Sequence, residues 1–291
     1  MFVQVLDENS EAFFNFINSL GAPHTRVSYR FCLEKFLSYY GIDLISFLKL
    51  PQHDITNLVI KYLVEKKISR GYKKLVTSSI KHACEINDIV LNWKKIKKFI
   101  SSDKTGNETN GRDRGYTHEE IKKILDFIDQ RIKTAILILA STGMRIGALR
   151  SVRVGDLEKV NDLYKIKVYS GDMEEEYITF CSPECAKEID TYLDFRKRHG
   201  EIITNDSFLF VKKFNIDLKG PIKGKQFTGR SLHSILEEYI RNSGLRKVNP
   251  DNNRFKRQTV PILHGFRKFF SSQLVEADLK TELRWLLEGT T

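Results

Sequence analysis

Apolar residues three and four positions apart recur throughout residues 10–100, as at Leu33, Phe36 and Leu37. This spacing places apolar side chains on one face of a helix, whereas the period-two alternation typical of strands is weak here. The pattern predicts an all-α unit of four or five short helices in this half of the chain.

The pattern changes after residue 114. Thr117 with Glu120 matches a capping box that starts a helix, and Gly143 matches the glycine that commonly follows a helix end. Segments 163–169 and 176–180 alternate apolar and polar side chains around a glycine-containing turn, which predicts an antiparallel β-hairpin. The chain is therefore expected to be mainly α, an α+β protein with a small antiparallel sheet in its second half. Further helices are predicted at 184–198, 231–243 and 265–276.

The clearest boundary is the polar segment 101–114, which holds two glycines and no large apolar residue. It predicts a helical domain at 1–100, a linker at 101–114 and a second domain at 115–291. The 291 residues are enough for two ordinary domains. With 41% hydrophobic and 29% charged residues, the composition excludes a disordered chain or a membrane bundle.

Positive charge is concentrated in one stretch. The chain has 48 Lys and Arg against 37 Asp and Glu, and residues 61–100 alone hold 11 against 3. These basic residues alternate with apolar ones at helical spacing, so one helical face is expected to present lysines. Such a face suits a DNA backbone, because neutralising phosphates releases counterions, although a solvated face without a partner has the same pattern. The residues expected to contact DNA are Lys66, Lys67, Arg70, Lys73, Lys74, Lys94 and Lys95, with a second set at Arg254, Lys256 and Arg257.

Four cysteines in 291 residues do not form a disulfide framework. Cys32 and Cys84 lie in apolar helical patterns and are expected in the core, while Cys181 and Cys185 lack the two further soft ligands that zinc requires. No metal and no cofactor is expected. The N-terminus does not match a signal peptide and no apolar run is long enough to span a membrane, so we expect a cytoplasmic protein without a membrane partner.

Two short motifs carry candidate chemistry. Thr-Gly-x-Arg ends in Arg145, and His-x-x-Arg supplies His264 and Arg267. The planar fork of arginine binds two phosphate oxygens and does not lose its proton, and histidine can donate to phosphate or exchange a proton near neutral pH. His264 and Arg267 share a face if their segment is helical.

In this order, with a basic helical domain before them, the two motifs resemble those of the tyrosine recombinases of the phage-integrase and Xer type. The resemblance extends over nearly the whole chain. Residues 1–100 are similar to the helical, SAM-like core-binding domain of that family, and residues 115–291 to its catalytic domain. The tracts 92–95 and 181–186 most resemble archaeal integrases of mobile elements.

The resemblance implies site-specific recombination of double-stranded DNA by in-line attack of a tyrosine on a phosphodiester, with no metal involved. Arg145 and Arg267 would hold the phosphate, and His264 would donate to it or carry a proton. The family also has a lysine on the β-hairpin that protonates the leaving 5′-oxygen. No lysine stands at this hairpin tip, so Lys167 on the preceding strand is the candidate. Thr290 stands where the family has a further histidine, and threonine cannot carry charge.

No tyrosine follows the His-x-x-Arg motif, since the last one is Tyr239, which lies in a predicted helix and is expected to pack rather than react. We therefore expect this chain to be unable to cleave DNA by itself. Three explanations stay open: a chain truncated before the nucleophile, a fragment of a split gene, or a decayed paralogue. The alternative function is a non-catalytic DNA-binding protein that occupies recombination half-sites. A monomer is expected in solution, with higher-order assembly on DNA only if a further C-terminal segment is present.

Because several lysine–phosphate contacts release counterions, the affinity for double-stranded DNA should fall steeply as the salt concentration rises. Fluorescence-anisotropy titrations of a labelled duplex at a series of salt concentrations measure this slope. Binding that hardly depends on salt would exclude the lysines of residues 61–100 as the contact surface.

Overall fold

A computed structural model describes residues 6–8, 10–101, 114–126, 128–212, 224–226, 228–242, 244–245 and 260–290. The chain divides into two units, Met1–Thr109 and Asn110–Thr291, each with its own hydrophobic core. The division falls within the predicted linker 101–114, of which residues 102–113 lie outside the described part.

The described part of the first unit is all-α, as predicted, but it contains six helices rather than four or five. Ser10, Asp43 and Ser69 each accept a hydrogen bond from a backbone N–H in the first turn of the helix that follows. Gly41, in the left-handed conformation, ends the second helix. The helices are α1 (Glu11–Asn18), α2 (Pro23–Tyr40), α3 (Leu44–Leu48), α4 (Gln52–Glu65), α5 (Arg70–Glu85) and α6 (Trp93–Ser101).

Phe36 of α2 lies fully buried in the first core. Its ring makes edge-to-face contacts with the rings of Tyr40, Phe47 and Tyr62, at centroid distances of 5.4, 5.4 and 5.3 Å. These contacts join α2, α3 and α4 into one packed cluster.

The second unit combines its helices with a three-stranded antiparallel sheet, in the order β1-β2-β3, over one hydrophobic core. The predicted hairpin is present as β2 and β3, in which Val168 is paired with Tyr177 and Ile166 with Thr179. The sequence pattern did not indicate β1. The elements are α7 (His118–Leu125), α8 (Gln130–Thr142), α9 (Ile146–Ser151), a 3-10 turn (Val154–Asp156), β1 (Leu157–Val160), β2 (Leu163–Val168), β3 (Tyr177–Phe180), α10 (Pro183–Arg198), α11 (Gly229–Asn242), α12 (His264–Glu276) and α13 (Thr281–Glu288).

The predicted capping box starts α7. The backbone N–H of Glu120 donates to Thr117 Oγ1 at 3.2 Å, and the backbone N–H of Thr117 donates to the Glu120 carboxylate at 2.9 Å. Arg114 donates two further hydrogen bonds to that carboxylate, at 2.6 and 2.7 Å. The Arg114 guanidinium holds the pKa of Glu120 below its usual range.

Helix α8 is buried along most of its length, and α10 and α12 pack against it. It ends at Gly143, which has a left-handed φ of 62°. A Cβ at this position would lie 2.3 Å from the ring of Phe270 on α12. Glycine is therefore required here both for the turn and for the close approach of α12.

All four cysteines are buried and unpaired. Cys32 and Cys84 lie in the first core, which confirms the prediction for these two residues. Burial raises the pKa of the Cys84 thiol to about 12. Within the described ranges, no helix has the length and apolar character needed to cross a membrane.

Replacing Gly143 by alanine should destabilise the second unit more than the same change at Gly200. Both glycines have a left-handed φ, at 62° and 87°, which costs an alanine about 1–2 kcal/mol. Only at Gly143 would the added methyl also meet a ring, at a further cost of about 1–3 kcal/mol, since a Cβ at Gly200 has nothing within 4 Å. Urea unfolding followed by circular dichroism measures both losses. Equal losses would show that Phe270 moves aside freely.

Candidate active site

Arg267 lies in the first turn of α12, and its side chain is only 9% exposed. Its Nη1 donates to the carbonyl oxygen of Gly143 at 2.7 Å, and its Nη2 donates to the carbonyl oxygen of Glu288 at 2.8 Å. The Glu288 carboxylate lies 3.9 Å from the guanidinium and accepts a hydrogen bond from Ser271. A buried charge is stable only when it is paired and hydrogen-bonded, so these contacts fix the guanidinium between the ends of α8 and α13.

Arg145 lies directly before α9, two residues after Gly143, and is exposed. Its Nη1 donates to the carbonyl oxygen of Gly289 at 3.3 Å. Since Gly289 follows Glu288, Arg145 and Arg267 contact two consecutive carbonyl groups. The structure therefore brings together the two arginines that the sequence motifs predicted as partners.

His264 is the exposed first residue of α12, one turn before Arg267. The start of this helix is closely packed, because a Cβ at Gly265 would lie 2.7 Å from the ring of Tyr116. Tyr116 Oη also donates to the carbonyl oxygen of Ile262 at 3.0 Å. These contacts fix where α12 begins, and with it the spacing between the imidazole and the guanidinium.

Lys167 lies on the exposed face of β2, as the alternation predicts. Its Nζ lies 3.2 Å from the Glu176 carboxylate. The pKa of Glu176 is lowered, first by the backbone N–H of Gly171 and then by Lys167. In the part of the chain that the structure describes, Lys167 contacts neither Arg145 nor Arg267. Its role as a proton donor stays a prediction.

The hairpin tip beyond Lys167 is acidic. Asp172 accepts hydrogen bonds from the backbone N–H groups of Glu174 and Glu175, both at 3.0 Å, and Met173 is fully exposed. The tip therefore presents negative charge to solvent, and this charge would repel a phosphate backbone.

Thr290 follows Gly289, whose carbonyl contacts Arg145. The backbone N–H of Thr290 donates to the carbonyl oxygen of Trp285 at 3.0 Å and so closes the end of α13. Its Oγ1 is buried and has no hydrogen-bond partner among the described residues. An unsatisfied buried hydroxyl costs free energy, and in this structure the Thr290 hydroxyl is closed off from solvent.

Two tyrosines of the hairpin, which the motifs did not indicate, lie near the arginines. Tyr177 of β3 packs against the end of α13, since a Cβ at Gly289 would lie 2.4 Å from its ring. Tyr169 follows β2 with a left-handed φ of 54°. Burial raises the pKa of both hydroxyls, while Arg145 and Arg267 act in the opposite direction. The spacing of this segment does not distinguish either tyrosine from ordinary strand residues.

A family model described as the phage integrase family matches residues 115–283, more than half of the chain. The chain belongs to this family. The predicted membership of the tyrosine recombinases and the predicted mainly α fold are confirmed, and the archaeal resemblance stays a prediction.

Tyrosine recombinase XerH of Campylobacter jejuni subsp. jejuni is 28% identical over 158 residues, which cover 52% of this chain and 40% of that protein. The match thus spans less than half the length of this relative.

Solved structures of phage integrases and Xer recombinases have the same fold. XerH bound to its palindromic difH substrate superposes with a TM-score of 0.63 at 18% identity, covering 99% of this chain and 84% of that one. The Tn1549 transposon integrase in complex with circular intermediate DNA superposes with a TM-score of 0.64 at 15% identity. The superposition covers 96% of this chain and 91% of that one. A lambda integrase tetramer bound to a Holliday junction superposes with a TM-score of 0.57 at 13% identity. The superposition covers 96% of this chain and 73% of that one. At these identities the likeness shows the fold.

Seven basic residues of the first unit were predicted to contact DNA in this integrase-family chain. Most of them are at least partly exposed to solvent. Lys66 is partly exposed, and its Nζ lies over the ring of Tyr39, 4.2 Å from the centroid. The exposed members are Lys67, Arg70, Lys74, Lys94 and Lys95.

Lys73 was predicted to present its side chain to solvent and to DNA. The predicted exposure is wrong, because this residue is only 2% exposed. It lies on the same face of α5 as Val76 and Ile80, which point into the first core. The second predicted set, Arg254, Lys256 and Arg257, lies outside the described residues.

Arg267→Gln should lower the free energy of unfolding of the second unit by about 3 kcal/mol, because it leaves buried carbonyl and carboxylate groups without their partner. Arg145→Gln should cost about 0.5 kcal/mol or less, because Arg145 is exposed and makes one long hydrogen bond. Urea unfolding of both variants beside the unsubstituted chain measures the difference. Similar losses for the two variants would contradict the different structural roles of the two arginines.

Proposed function

We propose that this protein is a site-specific DNA recombinase whose second unit carries out transesterification at a DNA phosphodiester. The observation that carries the proposal is the convergence of Arg145 and Arg267 on two consecutive carbonyl oxygens. Membership of the phage integrase family supports it.

The guanidinium groups of Arg145 and Arg267 donate hydrogen bonds toward the carbonyl oxygens of Gly289 and Glu288. Phosphate oxygens are acceptors of the same kind, and each arginine has five N–H donors, of which the described contacts use only one or two. Arg145 is exposed, so a phosphate can approach it from solvent. Fixed positive charge beside the reacting phosphate stabilises the charge that develops in the transition state.

His264 is the group that carries protons in this proposal. Its exposed imidazole stands one turn from Arg267 and can donate to the same phosphate or exchange a proton near neutral pH. Thr290 would add one neutral hydrogen bond only once its buried hydroxyl becomes accessible. Lys167 would first have to leave the Glu176 carboxylate.

Double-stranded DNA is the proposed partner. The structures of XerH and of the Tn1549 integrase are DNA complexes, which supports this choice. Exposed Lys67, Lys74 and Lys94 would contribute phosphate contacts from the first unit. The lambda integrase is a tetramer on a Holliday junction. For this chain we propose a monomer in solution, with higher-order assembly on DNA if a further C-terminal segment is present.

The second candidate function is DNA binding without cleavage by this chain. The observation that favours it is the hairpin, where the nearest lysine to the tip, Lys167, is paired with Glu176 and the tip itself is acidic. Thr290, predicted to stand at the position of the family's further histidine, cannot carry charge and also favours this candidate.

We expect the 291-residue chain to bind duplex DNA without forming a covalent adduct. Duplexes that bind are first selected from a random-sequence pool, and a nicked version of the selected duplex is then incubated with the chain and analysed on a denaturing gel. A stable protein–DNA adduct would overturn the non-catalytic proposal. Arg145→Gln serves as the matched control, since it should weaken binding to the selected duplex while leaving the fold intact. Equal binding by the variant would contradict the proposed phosphate site.

A further inference from the structure

Tyr169 has an unusual backbone conformation at the base of the hairpin. It follows the last residue of β2 with a left-handed φ of 54°, a conformation that is strained for a residue with a side chain. Its carbonyl accepts a hydrogen bond from the backbone N–H of Asp172 at 2.9 Å, which closes the turn.

This conformation changes where the ring lies. Strict alternation would place Tyr169 beside Lys167 on the exposed face of β2. Its ring instead lies 6.5 Å from the ring of Tyr177, which pairs with the buried Val168 and faces the core. The ring of Tyr169 is therefore half-buried on the side of the hairpin that faces the start of α9.

The hydroxyl of Tyr169 lies at the start of α9. It is 3.5 Å from the point that a Cβ on Gly147 would occupy, and Gly147 stands in the first turn of the helix that Arg145 precedes. Among the described residues this hydroxyl has no hydrogen-bond partner, and unlike Tyr177 Oη it is not closed off from solvent. It is thus a free donor at the start of the helix that Arg145 precedes.

The charges around Tyr169 keep the hydroxyl protonated. Burial is the largest cause that raises its pKa, Glu175 raises it further, and Arg145 and Arg267 lower it by a smaller amount. The net shift is upward, so at neutral pH the group is an O–H donor. The other hairpin donor, Lys167, is held by Glu176.

We propose that Tyr169 Oη donates a hydrogen bond to an oxygen of the phosphodiester bound between Arg145 and Arg267. This inference rests on the proposed function and adds a substrate-contacting residue to it. The strained turn places the hydroxyl on the arginine side of the hairpin, and a phosphate oxygen supplies the acceptor that the hydroxyl lacks.

The experiment uses the chain labelled with 3-fluorotyrosine, with the Tyr169 resonance assigned as the ¹⁹F signal that disappears in Tyr169→Phe. Titration with inorganic phosphate should shift this signal in a saturable way. The phosphate dissociation constant should rise about threefold to tenfold in Tyr169→Phe, as expected for one lost hydrogen bond. Bound phosphate should also raise the pKa of Tyr169 further, because an anion beside the hydroxyl opposes the phenolate.

Tyr164→Phe is the matched control. Tyr164 lies on β2 itself and its hydroxyl donates to Asp190, so its loss should leave phosphate binding unchanged. If Arg145→Gln weakens phosphate binding while the Tyr169 signal stays unmoved in the unsubstituted chain, the phosphate site stands and the inference about Tyr169 is overturned. If neither Arg145→Gln nor Tyr169→Phe changes phosphate binding, both the proposed function and the inference about Tyr169 are overturned.

Discussion

The buried guanidinium of Arg267 is the interaction on which the site depends. It joins the end of α8, through the carbonyl of Gly143, to the end of α13, through the carbonyl of Glu288. A buried charge without partners would be too costly, so these helix ends must meet at α12. Gly143 allows that meeting, since any larger residue would strike Phe270. Arg145 follows the same turn and is thereby brought beside Arg267.

The groups around the arginine pair differ in charge from what the family resemblance implied. Thr290, the residue predicted to replace the family's further histidine, has a neutral and buried hydroxyl, and Lys167 is paired with Glu176. Tyr169 adds another neutral hydroxyl from the base of the hairpin. In the proposed function, the stabilisation of phosphate charge therefore depends mainly on Arg145 and Arg267, with His264 beside them.

Local patterns predicted the elements that local chemistry controls. The capping box at Thr117 needs only residues within one helical turn, and the hairpin follows from period-two alternation. The short strand β1 was missed because its two central residues are exposed and its outer two only half-buried, which leaves no alternation to detect. The orientation of Lys73 was missed because a basic residue was assumed to face solvent, whereas the helical phase of α5 buries it.

The sequence by itself determined the helical first unit, the β-hairpin and the family, because periodicity and short motifs are properties of neighbouring residues. It also named Arg145, His264 and Arg267 as a set. Only the tertiary structure decided that the two arginines meet at consecutive carbonyls, that one is buried and the other exposed, and that Lys167 is paired with Glu176. It alone turned the ring of Tyr169 toward them. These features depend on contacts between distant segments and on one left-handed backbone angle, which no local pattern specifies.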